Sequence, residues 1–227
     1  MATTTNFGWE TPDDTDLVKD GALAIRTLGS AIDTSLVDLK GGTTGQLLSK
    51  NSNTDMDFTW TTPSTGDLVK IQKTTIGSGV STVSLNNVFT TTYSNYRVVI
   101  QYEGCSASGP TINFRLRLSG TDNSGATAYQ PRGYANTTSL ATFGSAGSSF
   151  ALGRVDDTDQ SFTLMEIIAP ASARATNFTV NHYNTNNNYM WHYGATHNVT
   201  TAYDGFTIYP SSGTLTSGTI TVYGYKD

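Results

Sequence analysis

DLVKDGALAIRTLGSAIDTSLVDL, residues 16–39, is the one convincing helix signal in a chain that otherwise reads as β-structure. Val18, Ile25, Ile32 and Leu39 recur every seven residues, and Gly21, Leu28 and Ser35 form a second row beside them. That spacing lays both rows along one stripe of a helix. Ala22, Ala24, Ala31 and Leu36 widen the stripe on both sides. A helix of this length with a single apolar stripe is marginal alone in water. It must pack on the rest of the chain or on copies of itself, and the second alternative is the expectation here. Ile at one core position with Leu at the other leans toward pairs, whereas the broad face suits three or more helices. Periodicity leaves that number open. Residues 16–40 are thus expected to form a helical stalk, with Val18, Ile25, Leu28, Ile32 and Leu39 between chains.

Upstream, residues 1–15 are polar apart from Phe7 and Trp9. The two rings either pack against the chain's own helix or insert into another protein. Thr11-Pro12-Asp13-Asp14 reads as a helix start, with a capping hydroxyl, proline at the first helical position and carboxylates near the positive end of the dipole. The helix therefore begins there or just after Asp16. Gly21 and Gly29 weaken it by about 1 kcal/mol each relative to Ala while permitting close approach. Downstream, Lys40-Gly41-Gly42 ends it. Residues 41–63 then read as a small β-module, with strands around Leu47-Leu48 and Met56-Phe58-Trp60 and a turn over 51–55. A lone hairpin of this size is marginal and also wants company.

Composition narrows the function classes. Charged residues make up 14% of the 227, well below the ~25% usual in globular domains, and Ser, Thr, Asn and Gly take their place. The net charge is −5 and no basic run occurs, which gives nucleic-acid binding little support. No apolar window approaches the ~18 residues of a membrane span. The first residues have neither the basic nor the apolar region of a signal peptide, so synthesis in a reducing cytoplasm is expected. Cys105 is the single cysteine, which rules out an intrachain disulfide. Three sequons, at Asn136, Asn177 and Asn198, are read as unglycosylated in that setting.

Several of these runs together resemble known virion proteins. Residues 3–9 with Thr11-Pro12, then Lys19-Asp20-Gly21-Ala22, Ile25-Arg26-Thr27-Leu28-Gly29 and Ile32-Asp33, look like the start of many phage tail-fibre and minor virion structural proteins. The run Gly42-Thr43-Thr44-Gly45-Gln46-Leu47-Leu48-Ser49-Lys50, with 57–63, DFTWTTP, is similar to the short β-module that often follows in them. The resemblance covers roughly the first quarter of the chain; the ending 218–226, GTITVYGYK, resembles the last strand of phage fibre tips more weakly. It implies attachment of residues 1–15 to another virion structural protein, with Phe7 and Trp9 as the contact. It further implies a parallel homotrimer, a distal C-terminal binding domain, and location in the virion, assembled in the host cytoplasm and acting at the host cell surface.

Residues 64–227 are expected to form one β-domain of roughly ten strands, over 67–75, 81–85, 96–102, 111–119, 149–152, 161–169, 175–184, 189–196, 205–209 and 219–225. The third and sixth, apolar almost throughout, are expected to be central. In the fourth, Ile112, Phe114, Leu116 and Leu118 face one way and Asn113, Arg115 and Arg117 the other. A jelly-roll-like β-sandwich is expected, with a closed barrel as the alternative. Stretches 104–110, 120–133 and 134–148 read as long Gly/Ser-rich loops.

Chemistry-bearing motifs are sparse. His182, His192 and His197 match no metal spacing, and Asp156-Asp157-Thr158-Asp159 lacks the glycine and distal glutamate of a calcium loop, so no metal and no cofactor is expected. Glu103, Asp122, Asp156, Asp157, Asp159 and Glu166 could supply a hydrolytic pair, but the sequence pairs none of them. There is no nucleophile elbow and no phosphate loop, and Cys105 is expected to be idle, so no enzyme is expected. The strongest binding signal is 183–193, YNTNNNYMWHY. Tyr189, Trp191 and Tyr193 share one face of a strand, with Tyr183 and Asn187 at the turn before it. Aromatic faces stack on sugar rings and asparagines pair with hydroxyls, so a host-surface polysaccharide is the expected ligand. The competing view makes these rings core or interface. Tyr129, Arg132 and Tyr134 form a second candidate.

Overall fold

Backbone pairing in the computed structural model, which describes residues 2–63, 66–136, 140–143, 146–157, 160–185 and 189–226, divides the chain into two units. They are Met1–Ser64 and Thr65–Asp227. The chain is mainly β.

In the first unit, β1 (Ala2–Thr3) pairs antiparallel with β2 (Glu10–Thr11). The helix α1 (Gly21–Ser35) has 15 residues, with 3₁₀ turns at Val18–Asp20 and Val37–Leu39 on either side. It is thus shorter than the 16–39 of the sequence pattern, about 22 Å at ~1.5 Å per residue. Local hydrogen bonding explains both ends. Asp16 Oδ2 accepts from the Asp13 amide at 2.8 Å, which closes a turn where the helix was expected to begin. At the other end Leu36 leaves the helical region, its amide shared between the Ile32 and Thr34 carbonyls, and the chain tightens into the 3₁₀ turn. β3 (Leu47–Lys50) and β4 (Phe58–Thr61) form a hairpin tied to the turn after α1: the Phe58 amide donates to Asp38 Oδ2 and Trp60 Nε1 to Lys40 O, each at 3.2 Å. Gly42, at φ +80°, lets the Trp60 ring lie against the backbone, since a Cβ there would stand 2.6 Å from it.

The second unit is all strand: β5 (Leu68–Ile76), β6 (Val83–Leu85), β7 (Asn95–Cys105), β8 (Thr111–Leu118), β9 (Thr121–Asp122), β10 (Tyr129–Asn136), β11 (Leu140–Phe143), β12 (Phe150–Arg154), β13 (Ser161–Ile168), β14 (Thr176–Asn184), β15 (Tyr189–His197), β16 (Gly205–Pro210) and β17 (Leu215–Tyr225). A large antiparallel sheet runs β11-β10-β15-β14-β13-β7-β17-β5, and a smaller one β12-β8-β16-β6 with β9 beside β8. They meet across one apolar core. Phe114 of the small sheet lies 5.6 Å from Phe178 of the large one and 4.9 Å from Phe150, and Phe150 is 4.9 Å from Phe178. Ile112, Phe114 and Leu116 are fully buried, as their alternation requires, while Leu118 at the strand end is exposed.

The Gly/Ser-rich stretches 120–133 and 134–148 are not simply loops, because β10 and β11 arise within them. Gly133 and Pro131 lower the strand signal of β10, yet the ladder from Tyr129↔His197 to Asn136↔Met190 supplies the pairing that composition does not advertise.

Candidate functional site

Alternate residues of β7, β13, β14 and β15 point into the core, and the others form the outer face of the large sheet. On that face the register sets Gln101, Phe162, Tyr183 and Met190 in one row and Val99, Leu164, Asn181 and His192 in the next. Phe162 is 46% exposed and Met190 53%. The Phe162 and Tyr183 rings lie 5.9 Å apart, tilted by 40°. They border a groove of about 350 Å³ that Val99, Gln101, Glu103, Gln160 and Thr185 also line.

A bulge shapes one end of the groove. Between β7 and β17 the register shifts at Leu215/Ser217 and again at Ser217/Gly218. Gly218 has φ +147°, and a Cβ there would stand 2.2 Å from Gln101 O. The backbone thus passes only because the residue is glycine. The bulge brings Ser217 Oγ within 2.6 Å of Glu103 Oε2, to which it donates. Farther along the same face, Arg97 Nη2 is paired with Glu166 Oε1 at 2.5 Å, and Tyr225 donates to Glu166 Oε2 at 2.8 Å. The Glu166 carboxylate raises the Arg97 pKa above its ordinary value.

The structure parts the expected aromatic cluster. Tyr183 faces out into the groove. Trp191 and Tyr193 face in, because they pair with His182 and Val180, whose side chains enter the core. Tyr193 is buried and its hydroxyl donates to Ala151 O; Trp191 is half-buried against the core. Neither can stack on a sugar together with Tyr183. Asn187 and the Tyr189 side chain lie outside the described residues. The second candidate also changes. Tyr129 is fully buried, its hydroxyl accepting from the Leu116 amide and donating to Asn123 O at 2.8 Å each, and burial raises its pKa. It is a core residue with a satisfied polar tip. Arg132 and Tyr134 pair through their backbones with Gly194 and His192, and their side chains lie outside the described ones.

Phe162, Gln101, Gln160 and Thr185 were not among the candidates. A signal for Phe162 was present: in β13, Phe162, Leu164 and Ile168 alternate with Thr163, Met165 and Ile167, so both faces of the strand carry apolar residues. Such a strand can mark an apolar outer face as well as a central place in the sheet.

The remaining chemistry-bearing residues serve the fold. His182 Nε2–H donates to Arg154 O at 2.8 Å and Nδ1 accepts from Thr163 at 2.9 Å. Burial lowers its pKa to about 4. His197 is buried between Tyr129 and Tyr203, and exposed His192 bonds Asn181. Asp156 is buried and accepts from Ser108 and Asn184. Among the described residues no three His, Cys, Asp or Glu side chains come together as metal ligands. Cys105 is buried.

In the first unit, Trp9 Nε1 donates to Ser35 Oγ on α1 at 3.1 Å, and Phe7 stacks on Trp9 at 4.8 Å while staying 50% exposed. Of the expected stalk residues, Val18 is 97% exposed and Ile25 65%; Leu39 is exposed as well, and Leu28 and Ile32 are half-buried. Ala24 is the one buried hydrophobic among the described residues of 1–64. No protein-family model matches the chain, and no curated protein sequence matches it.

Proposed function

We propose that the chain is a homotrimeric phage fibre that binds a host-surface polysaccharide. Residues 1–15 attach it to another virion structural protein, with Phe7 as the exposed contact. Residues 16–40 form the trimer stalk, 41–63 a small β-module, and 64–227 a jelly-roll-like β-sandwich that carries the binding face. The observation behind this reading is the uncovered apolar surface of residues 1–64. Leu17, Val18, Leu23, Ile25, Val37 and Leu39 are all exposed there, against Ala24 as the one buried hydrophobic among the described residues. Burying one such side chain contributes roughly 1.5–3 kcal/mol, and a helix of 15 residues needs that support. Of the exposed residues, Val18, Ile25 and Leu39 lie in the seven-residue row, which parallel copies offer to one another. Three weak sugar sites on one trimer then act together through avidity.

A second reading, a structural head or neck fibre or decoration protein without a receptor, draws support from the inward placement of Trp191 and Tyr193. A small polysaccharide-degrading spike has less support, since Glu166, Asp122 and Asp156 bond separately to Arg97, Arg117 and Asn184. Light scattering on the intact chain tests the assembly: three times the 24.3 kDa chain mass is expected, and a monomer refutes the stalk. Binding to host cells with and without surface polysaccharide tests the receptor. Binding only to cells that carry the polysaccharide is expected, and no binding to either leaves the structural reading standing.

A further inference from the structure

Resting on the glycan-binding reading above, we infer that the groove beside Phe162 and Tyr183 holds a neutral or N-acetylated pyranose residue and discriminates against acidic sugars. Its volume of about 350 Å³ falls within the roughly 300–1,000 Å³ of small-ligand clefts. The two rings, 5.9 Å apart and tilted by 40°, make an angled shelf. The C–H face of a pyranose packs on such a shelf, and the exposed half of Phe162 is otherwise an apolar cost in water.

The polar groups around the shelf suit hydroxyls and acetamides. Thr219 donates to Gln101 Oε1 at 3.2 Å, so Gln101 keeps its amide NH2 to donate elsewhere. The Thr185 hydroxyl donates to Gln160 O at 2.8 Å and keeps its lone pairs as acceptors. Glu103 is the one charged side chain among the lining residues. Ser217 anchors its Oε2, which leaves Oε1 to accept from a sugar hydroxyl. This carboxylate, exposed and bonded to Ser217 with no cation among the lining residues, repels a uronate or sialate carboxylate, and that repulsion sets the class of sugar. The Gly218 bulge holds Glu103 in place, so the selectivity originates in the backbone register of β7 and β17.

The test uses the intact chain, with oligosaccharides of glucose, of N-acetylglucosamine and of glucuronic acid as probes, in ligand-observed saturation-transfer NMR. Binding to at least one of the first two is expected, with the glucuronic acid probe at least ~10-fold weaker. Phe162→Ala should weaken the bound neutral probe by roughly 10-fold, the loss of one apolar packing face. Phe162 lies on the solvent face, so its thermal melt should stay close to that of the parent. Glu103→Gln is the second variant, and it should close most of the gap between neutral and acidic probes. Equal affinity for acidic and neutral probes overturns the inference. So does unchanged host-polysaccharide binding by Phe162→Ala, which would leave the glycan-binding reading intact and move its site. Failure of the parent chain to bind polysaccharide at all overturns both.

Discussion

Acidification should loosen residues 65–227 through one side chain, His182. Its ring is buried between β14 and β12, donating to Arg154 O and accepting from Thr163, away from the water that would solvate a charged imidazolium. Burial lowers its pKa from 6.5 to about 4. The unfolded chain, whose histidine keeps the ordinary value, therefore takes up the proton first as pH falls. The associated stability is fully present above about pH 6.5, declines as pH drops through that window, and is gone below about pH 4. At ~1.36 kcal/mol per unit, the shift amounts to about 3 kcal/mol between pH 7 and pH 4. That is a large part of the roughly 5–15 kcal/mol that holds a domain folded. The assay is urea unfolding followed by circular dichroism at a series of pH values, comparing the parent with His182→Gln. Glutamine keeps a donor and an acceptor but does not titrate. Carboxylates and His197 titrate in both proteins, so the difference between the two slopes isolates His182. The variant should lose about 3 kcal/mol less than the parent over the same interval. Parallel loss in the two proteins would refute the argument.

Other perturbations probe neighbouring features. Gly153→Ala places a Cβ 2.0 Å from the His182 ring, and it should cost ~1–3 kcal/mol or more by overpacking, read as a lower urea midpoint. Phe114→Ala removes the ring that contacts Phe150, Phe178 and Phe206, and it should cost ~3–5 kcal/mol in the same measurement. Ile25→Asp should shift the light-scattering mass toward monomer while leaving the unfolding midpoint of 65–227 within ~0.5 kcal/mol, since Ile25 is exposed and lies in the other unit. An unchanged mass would mean that Ile25 does not hold the chains together.

Most of the strands were legible because alternation is a local signal. Thr111–Leu118 shows it best, with its three inward residues at zero exposure. β10 was not legible, because its place depends on β15, a partner about sixty residues away that the local composition does not encode. The helix was legible as a helix, but its ends were not. They depend on the Asp16 side chain closing a turn onto the Asp13 amide and on Leu36 leaving the helical region, neither of which the apolar period encodes. The candidate site was read only in part. Period-two reasoning correctly put Trp191 and Tyr193 on one face of β15 and could not say which face was wet. Tyr183 lies across the turn on β14, where register assigned it to the opposite side. Phe162 became part of the groove only once β13 and β14 were known to be neighbours.

The edge of the large sheet has a consequence for storage and concentration. β5 closes that sheet on one side, with one ladder on β17 and none among the described residues on its other flank. The open flank of this nine-residue strand, where alternate residues turn their backbone groups outward, could template a neighbouring molecule into a fibril. Lys70 and Lys73 stand exposed along that strand, and the register shift at Val222/Tyr223 of β17 interrupts the straight ladder behind it. An approaching identical edge would bring lysine toward lysine before any backbone bond formed. The same strand that completes the sheet therefore also keeps one molecule's sheet from growing into the next, and shielding by salt should weaken that protection first.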